Sequence, residues 1–248
     1  MKHGNLTWLV WKEYRQNRLI VLGMLFLLVL PYVVFPIIAC IVWLRHWEPY
    51  QGLSDWLHLF HGASQFSFWV SQIALLVIGG NVIASERIER SAEFQSNLPI
   101  SRWRSLAGKV LLVLLMFAAI WLPDAAVFWG TRYESWRNGP MALEYTVRMA
   151  TAGVTFFCVA WFISSLLNSP AIAVCAGLVA PWLAWALVWL AMWAHGFEHY
   201  AGKYVATSHG CINMSQAVLE FWAHTTCLTV SAICFVLGAW LYLRRAES

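Results

Sequence analysis

Histidine pairs are the first residues whose spacing suits chemistry. His58 and His61 are three apart and His195 and His199 four apart, so each pair can share one helix face, as a two-imidazole metal site requires. His195 and His199 are the candidate metal ligands, with His46, His209 and Cys211 as further donors on the same side of the chain. The competing reading is histidine packed beside Trp and Tyr at a membrane surface, and no close Cys-x-x-Cys pair supports a metal. Asp124 follows Pro123 late in one apolar run, and Glu220 and His224 open another. An ionisable group in such a run is a functional candidate by default. Solvation or pairing near the membrane surface is the plainer role for both acids, and lining a solute path is the alternative. Ser64, Ser67, Ser71 and Gln72 form a polar stripe at helical spacing, with Gly79 and Gly80 beyond it. Small and hydroxylated residues let helices approach closely and hydrogen-bond; the alternative again is a solute path, with Ser71, Gln72 and Asp124 as its candidate residues.

Other chemistry is not encoded. Gly108-Lys109 is followed by Val110 and Gly202-Lys203 by Tyr204, so the chain has no P-loop of its own to cradle a nucleotide phosphate. It also lacks the H-E-x-x-H metalloprotease pair and the G-x-S-x-G nucleophile elbow. No catalytic residue is assigned. Asp and Glu are nearly missing from the centres of the apolar runs, which argues against a relay of carboxylates.

The elements that must position these residues are membrane helices. Of 248 residues, 60% are hydrophobic and 11% charged, where a soluble domain carries about 25% charged residues. Seventeen tryptophans suit the membrane–water boundary, where the ring is apolar and the N–H still finds a partner. A span needs about 20 apolar residues, and six runs qualify: 19–44 (with Pro31 and Pro36 as kink sites), 60–84, 110–129, 149–167, 170–194 and 219–243. These runs are too long and too uniformly apolar for barrel strands. Asn168-Ser169-Pro170 marks a tight turn between the fourth and fifth. The first run exceeds the h-region of a signal peptide, so no cleavable signal is expected. Five of the six cysteines lie in apolar runs, so no disulfide framework follows.

Basic residues set the orientation. With the N-terminus inside, Lys2, Lys12, Arg15, Arg18, Arg87, Arg90, Arg102, Arg104, Lys109, Arg244 and Arg245 face the cytoplasm, against Arg45, Arg132, Arg137, Arg148 and Lys203 outside. The expected architecture is an all-α integral membrane protein, a single membrane domain of six transmembrane helices with both termini cytoplasmic. The net charge of +4 is spread over span ends, not gathered in a patch, so no nucleic-acid partner is expected. Leu6–Arg18 reads as an N-terminal interfacial helix: Leu6, Val10 and Tyr14 recur at four-residue spacing, while Trp11, Lys12, Arg15 and Arg18 suit the headgroup region of membrane lipid. The same residues can instead be the charged start of the first span.

The most charged stretch joins the second and third spans. Glu86 precedes Arg90 by four residues and Arg90 precedes Glu93 by three, so Ser85–Ser96 reads as a short charged helix. Pro99 disfavours helical geometry at Leu98, and Ser101 suits the N-cap of a second helix carrying Arg102 and Arg104. Lys109 then enters the membrane with a stem that can snorkel. The expected shape is a cytoplasmic helix-turn-helix; an ordinary positive-inside loop is the alternative.

The run from Glu89 to Lys109, with Glu93, Leu98-Pro99-Ile100-Ser101-Arg102 and Lys109, resembles the segment between spans two and three of type-2 ATP-binding-cassette (ABC) transporter permeases. Ala92 and Ser91 stand where that family commonly has Thr and Gly, and Trp11–Arg18 is similar to its opening interfacial helix. The resemblance implies a permease, not an enzyme, in the cytoplasmic (inner) membrane of a prokaryote. It implies pairing with a second permease subunit, as homo- or heterodimer, and with ATP-binding-cassette ATPase subunits that hold ATP and magnesium. It implies ATPase-subunit coupling through Glu86, Glu89, Arg90, Glu93, Leu98, Pro99, Ser101, Arg102 and Lys109, and export of a solute. A metal-handling membrane protein or enzyme using the outer histidines, and a membrane anchor for another complex, are the other open readings.

Overall fold

A computed structural model describes residues 6–46, 53–88, 101–131, 140–167, 169–194, 204–207 and 210–244. Six helices are present among them: α1 (Leu6–His46), α2 (Leu53–Ile88), α3 (Arg102–Gly130), α4 (Pro140–Leu166), α5 (Pro170–Ala194) and α6 (Met214–Arg244), with strands β1 (Tyr204–Thr207) and β2 (Gly210–Asn213) before α6. Each helix contains a stretch long and apolar enough to cross a membrane: Asn17–Val42, Asp55–Ala84, Arg102–Gly130, Leu143–Leu166, Pro170–Ala191 and Glu220–Arg244. All six apolar runs of the sequence are thus helical. The helices overrun those runs because hydropathy registers only the apolar part of a helix, while backbone hydrogen bonding continues into the polar ends.

One expectation changes. The N-terminal segment is not a separate interfacial helix; α1 runs unbroken for 41 residues, about 60 Å at 1.5 Å per residue and twice a hydrocarbon core. Trp11, Lys12, Arg15 and Arg18 are the polar N-terminal extension of the first spanning helix. The all-α membrane architecture stands, with one short strand pair added to the expected helices. Tyr204–Thr207 pairs antiparallel with Gly210–Asn213 in the register Tyr204↔Asn213, Val205↔Ile212, Ala206↔Cys211 and Thr207↔Gly210. Tyr, Val and Thr favour strand geometry, and the Gly- and His-rich composition around them masks that signal.

By contact the chain forms two compact units, Met1–Ala74 with Pro99–Asn138, and Leu75–Leu98 with Gly139–Ser248. In the first, α1 buries Leu9, Glu13, Asn17, Val21, Met24 and Leu28, a stripe of three- and four-residue steps that lies along one helix face. Phe68 of α2 packs edge-on against Trp121 and Phe128 of α3, with centroids 5.0 and 5.6 Å apart.

In the second unit Leu76, Phe156 and Ala160 form the core, joined by Ala152 and Val174. Two glycines permit this packing. A Cβ on Gly79 would lie 2.6 Å from the Phe157 carbonyl oxygen, and one on Gly177 would lie 3.0 Å from Ala160 Cβ and overlap Leu76 Cδ1. The Ser164 hydroxyl donates to the Gly79 carbonyl at 3.2 Å, so α2 and α4 touch through backbone as the small-residue pattern implies. The α4 span is 61% buried, against 17% for α5 and for α6. The apolar faces of α5 and α6, with Trp182, Trp185, Trp193, Phe221 and Trp240 exposed, suit lipid as their surroundings.

Candidate functional site

The N-terminal part of α1 meets the start of α3. Lys109 Nζ lies 3.0 Å from Glu13 Oε2, with side chains 0% and 3% exposed. Gly108 faces Leu9, where an added Cβ would lie 3.2 Å from the Leu9 Cβ. One turn on from Glu13, Asn17 Nδ2 donates to the Glu13 carbonyl at 3.0 Å. Lys109 therefore does not snorkel: the ammonium turns inward, because a buried carboxylate supplies a closer partner than the headgroup region.

Glu13 is not among the residues singled out in the sequence; inside the protein this segment buries a face other than that of Val10 and Tyr14. The buried residues are Leu9, Glu13 and Asn17, while Tyr14 is exposed and Val10 half-buried. A readable signal did exist: Glu13 and Asn17 continue backwards, at four-residue steps, the series Val21, Met24 and Leu28 inside the span. The outward face carries Trp11, Arg15 and Arg18, all exposed, with the Arg15 guanidinium 5.5 Å from the centroid of the Trp11 ring. Lys12 is half-buried.

Of the remaining coupling candidates, Glu89, Arg90, Glu93, Leu98 and Pro99 lie outside the described residues. Glu86 falls in the last turn of α2, which runs to Ile88, so the start of the expected short helix at Ser85 is continuous with the second span. Ser101 is the N-cap of α3 at φ −64° and ψ 139°. Its carbonyl accepts from the Arg104 N–H at 2.9 Å, but its hydroxyl makes no capping bond. Arg102 is half-buried.

The solute-path candidates occupy the first unit. The Ser71 hydroxyl donates to the Phe68 carbonyl at 2.6 Å, and Gln72 Nε2 to the same carbonyl at 2.8 Å. Gln72 Oε1 is buried without a hydrogen-bond partner among the described residues. Asp124 is 1% exposed. Its Oδ1 accepts from the Tyr32 hydroxyl at 2.8 Å and its Oδ2 lies 3.0 Å from the Ser67 hydroxyl oxygen. Within its unit Asp124 is thus paired rather than solvated.

The histidines divide. His61 stacks on Phe128 with centroids 4.8 Å apart, and Gln65 Nε2 lies 3.3 Å from its Nε2. His195, His199 and His209 lie outside the described residues. Among the described residues no group of three or more His, Cys, Asp or Glu is placed to hold a metal. In the second unit Arg148 Nη2 bridges Glu144 of α4 at 2.7 Å and Glu220 of α6 at 2.6 Å. Glu220 is therefore part of an ion triad at the ends of two spans.

Six spanning helices with buried polar contacts between them define a multi-pass α-helical membrane protein. No family model, no curated protein sequence and no solved structure matches this chain.

Proposed function

We propose that this chain is the transmembrane subunit of a type-2 ABC transporter, most simply an exporter of the prokaryotic inner membrane, working with a second permease subunit and separate ATPase subunits. The sequence of Glu89–Lys109 is the ground for the family, and the Glu13–Lys109 ion pair is the observation that supports the role. That pair ties the polar extension of α1 to the first turns of α3, and α3 begins directly after the charged segment that would meet an ATPase. A displacement delivered to that segment would therefore move α1 and α3 together. A buried charge pair resists separation, because pulling it apart leaves each charge uncompensated.

On this reading the chain does no chemistry of its own; ATP and magnesium belong to the partner. Affinity purification of the full chain in mild detergent, with identification of the proteins retained, tests it. A Walker-type ATPase should co-purify in stoichiometric amount, and its ATPase activity should rise when the complex is placed in lipid. Retention of partners that lack ATPase activity would turn the assignment toward a membrane anchor.

A further inference from the structure

The Asp124 cluster has a proton count that favours one chemical state. Asp124 sits within the α3 span and is 1% exposed. Its hydrogen-bond partners among the described residues are two neutral hydroxyls, Tyr32 of α1 and Ser67 of α2. Neither is a cation, and an unpaired ionised carboxylate in a membrane segment is costly. The Ser67 hydroxyl has one proton but two acceptors in reach, Asp124 Oδ2 at 3.0 Å and the Leu28 carbonyl at 3.2 Å. If Asp124 is ionised, that one proton must serve both. If Oδ2 carries a proton, it donates to Ser67 Oγ, Ser67 donates to the Leu28 carbonyl, and Tyr32 donates to Oδ1. Every contact is then a hydrogen bond.

We propose that Asp124 is a membrane-embedded proton-binding site, holding a proton on Oδ2 while α1, α2 and α3 close around it through Tyr32, Ser67 and the Leu28 carbonyl. Tyr32 is itself titratable, and His61 of α2 stacks on Phe128, one turn beyond Asp124 along α3. When the three helices separate and water enters, the O–H bond breaks, its electron pair stays on the carboxylate and the proton passes to water. The neutral acid belongs to the closed arrangement and the carboxylate to an open one. This assignment does not depend on the transport reading.

Infrared difference spectra of the full-length protein in lipid nanodiscs at neutral pH test it. Wild type minus Asp124→Asn should contain the C=O stretch of a protonated carboxylic acid, and in Ser67→Ala that band should persist but move to higher frequency as the acid loses its acceptor. Asp124→Asn should fold as well as wild type, because the amide N–H takes the place of the O–H toward Ser67; failure to fold would count against the neutral acid. A difference spectrum without the carboxylic band, or a band indifferent to Ser67→Ala, overturns the proposal. So does a melting temperature that rises in sodium chloride over choline chloride in wild type but not in Asp124→Asn, which would make the cluster a cation site.

Discussion

Glu13 and Lys109 stand 96 positions apart in the chain and 3.0 Å apart in space, both almost wholly buried. The pair joins the least apolar part of the first helix to the first turns of the third. Replacing one partner leaves the other charge uncompensated in a dry site, at a cost of about 3–5 kcal/mol, whereas replacing both with apolar residues of similar volume is often near neutral. Lys109→Met and Glu13→Gln should each lower thermal stability in detergent markedly. The double variant Glu13→Leu with Lys109→Met should recover most of the loss, as read by fluorescence-detected size exclusion after heating. Additive losses in the double variant would show that the two charges do not act on each other.

Arg148 offers the opposite case. Its side chain is 43% exposed and that of Glu144 40%, with Glu220 at 14%, so water reaches the guanidinium and one of its two partners. Exposed ion pairs contribute about 0–1 kcal/mol and weaken with salt. Arg148→Ala should therefore cost far less than Lys109→Met, and the cost should shrink between low and high ionic strength. A large, salt-independent loss would reveal a structural role beyond charge pairing.

The helix contact at Gly79 should tolerate no side chain. Its Cβ would meet the Phe157 carbonyl oxygen at 2.6 Å, backbone that cannot turn aside. Gly79→Ala should cost about 1–3 kcal/mol through overpacking. Gly23→Ala, with nothing within 4 Å of the added carbon, is the matched control and should be neutral or slightly stabilising, since Ala is the better helix former. Melting curves of the two variants side by side make the comparison.

Glu93→Lys and Pro99→Gly test the transport reading directly. Either change should leave membrane insertion intact while separating ATP hydrolysis by the partner from solute movement in reconstituted vesicles. On that reading the first reverses the charge offered to the ATPase, and the second removes the φ restriction of the expected bend. Normal coupling in both variants would sink the assignment of this segment.

The spans were legible because crossing a membrane is a local demand. Twenty or so apolar residues announce themselves whatever they pack against, so all six runs became helices and Ser101 became a helix start. The helix ends were less legible, since polar turns of α1 and α2 continue the same backbone ladder without an apolar signature. The hairpin at Tyr204–Asn213 was hidden for a related reason: each strand is four residues long, too short to display alternation.

What the sequence determined by itself is the class of protein, the number of spans, and the places where polar groups enter apolar helices. What only the tertiary structure decided is the state of those polar groups. By sequence Lys109 is free to reach the headgroup region and Asp124 is open to solvation, pairing or a solute path; in the fold Lys109 meets Glu13, and Asp124 meets Tyr32 and Ser67. The physical reason is the low dielectric of a packed interior. There, the energy of a charge depends on the few atoms within hydrogen-bonding distance, and those atoms come from distant parts of the chain that local patterning does not connect.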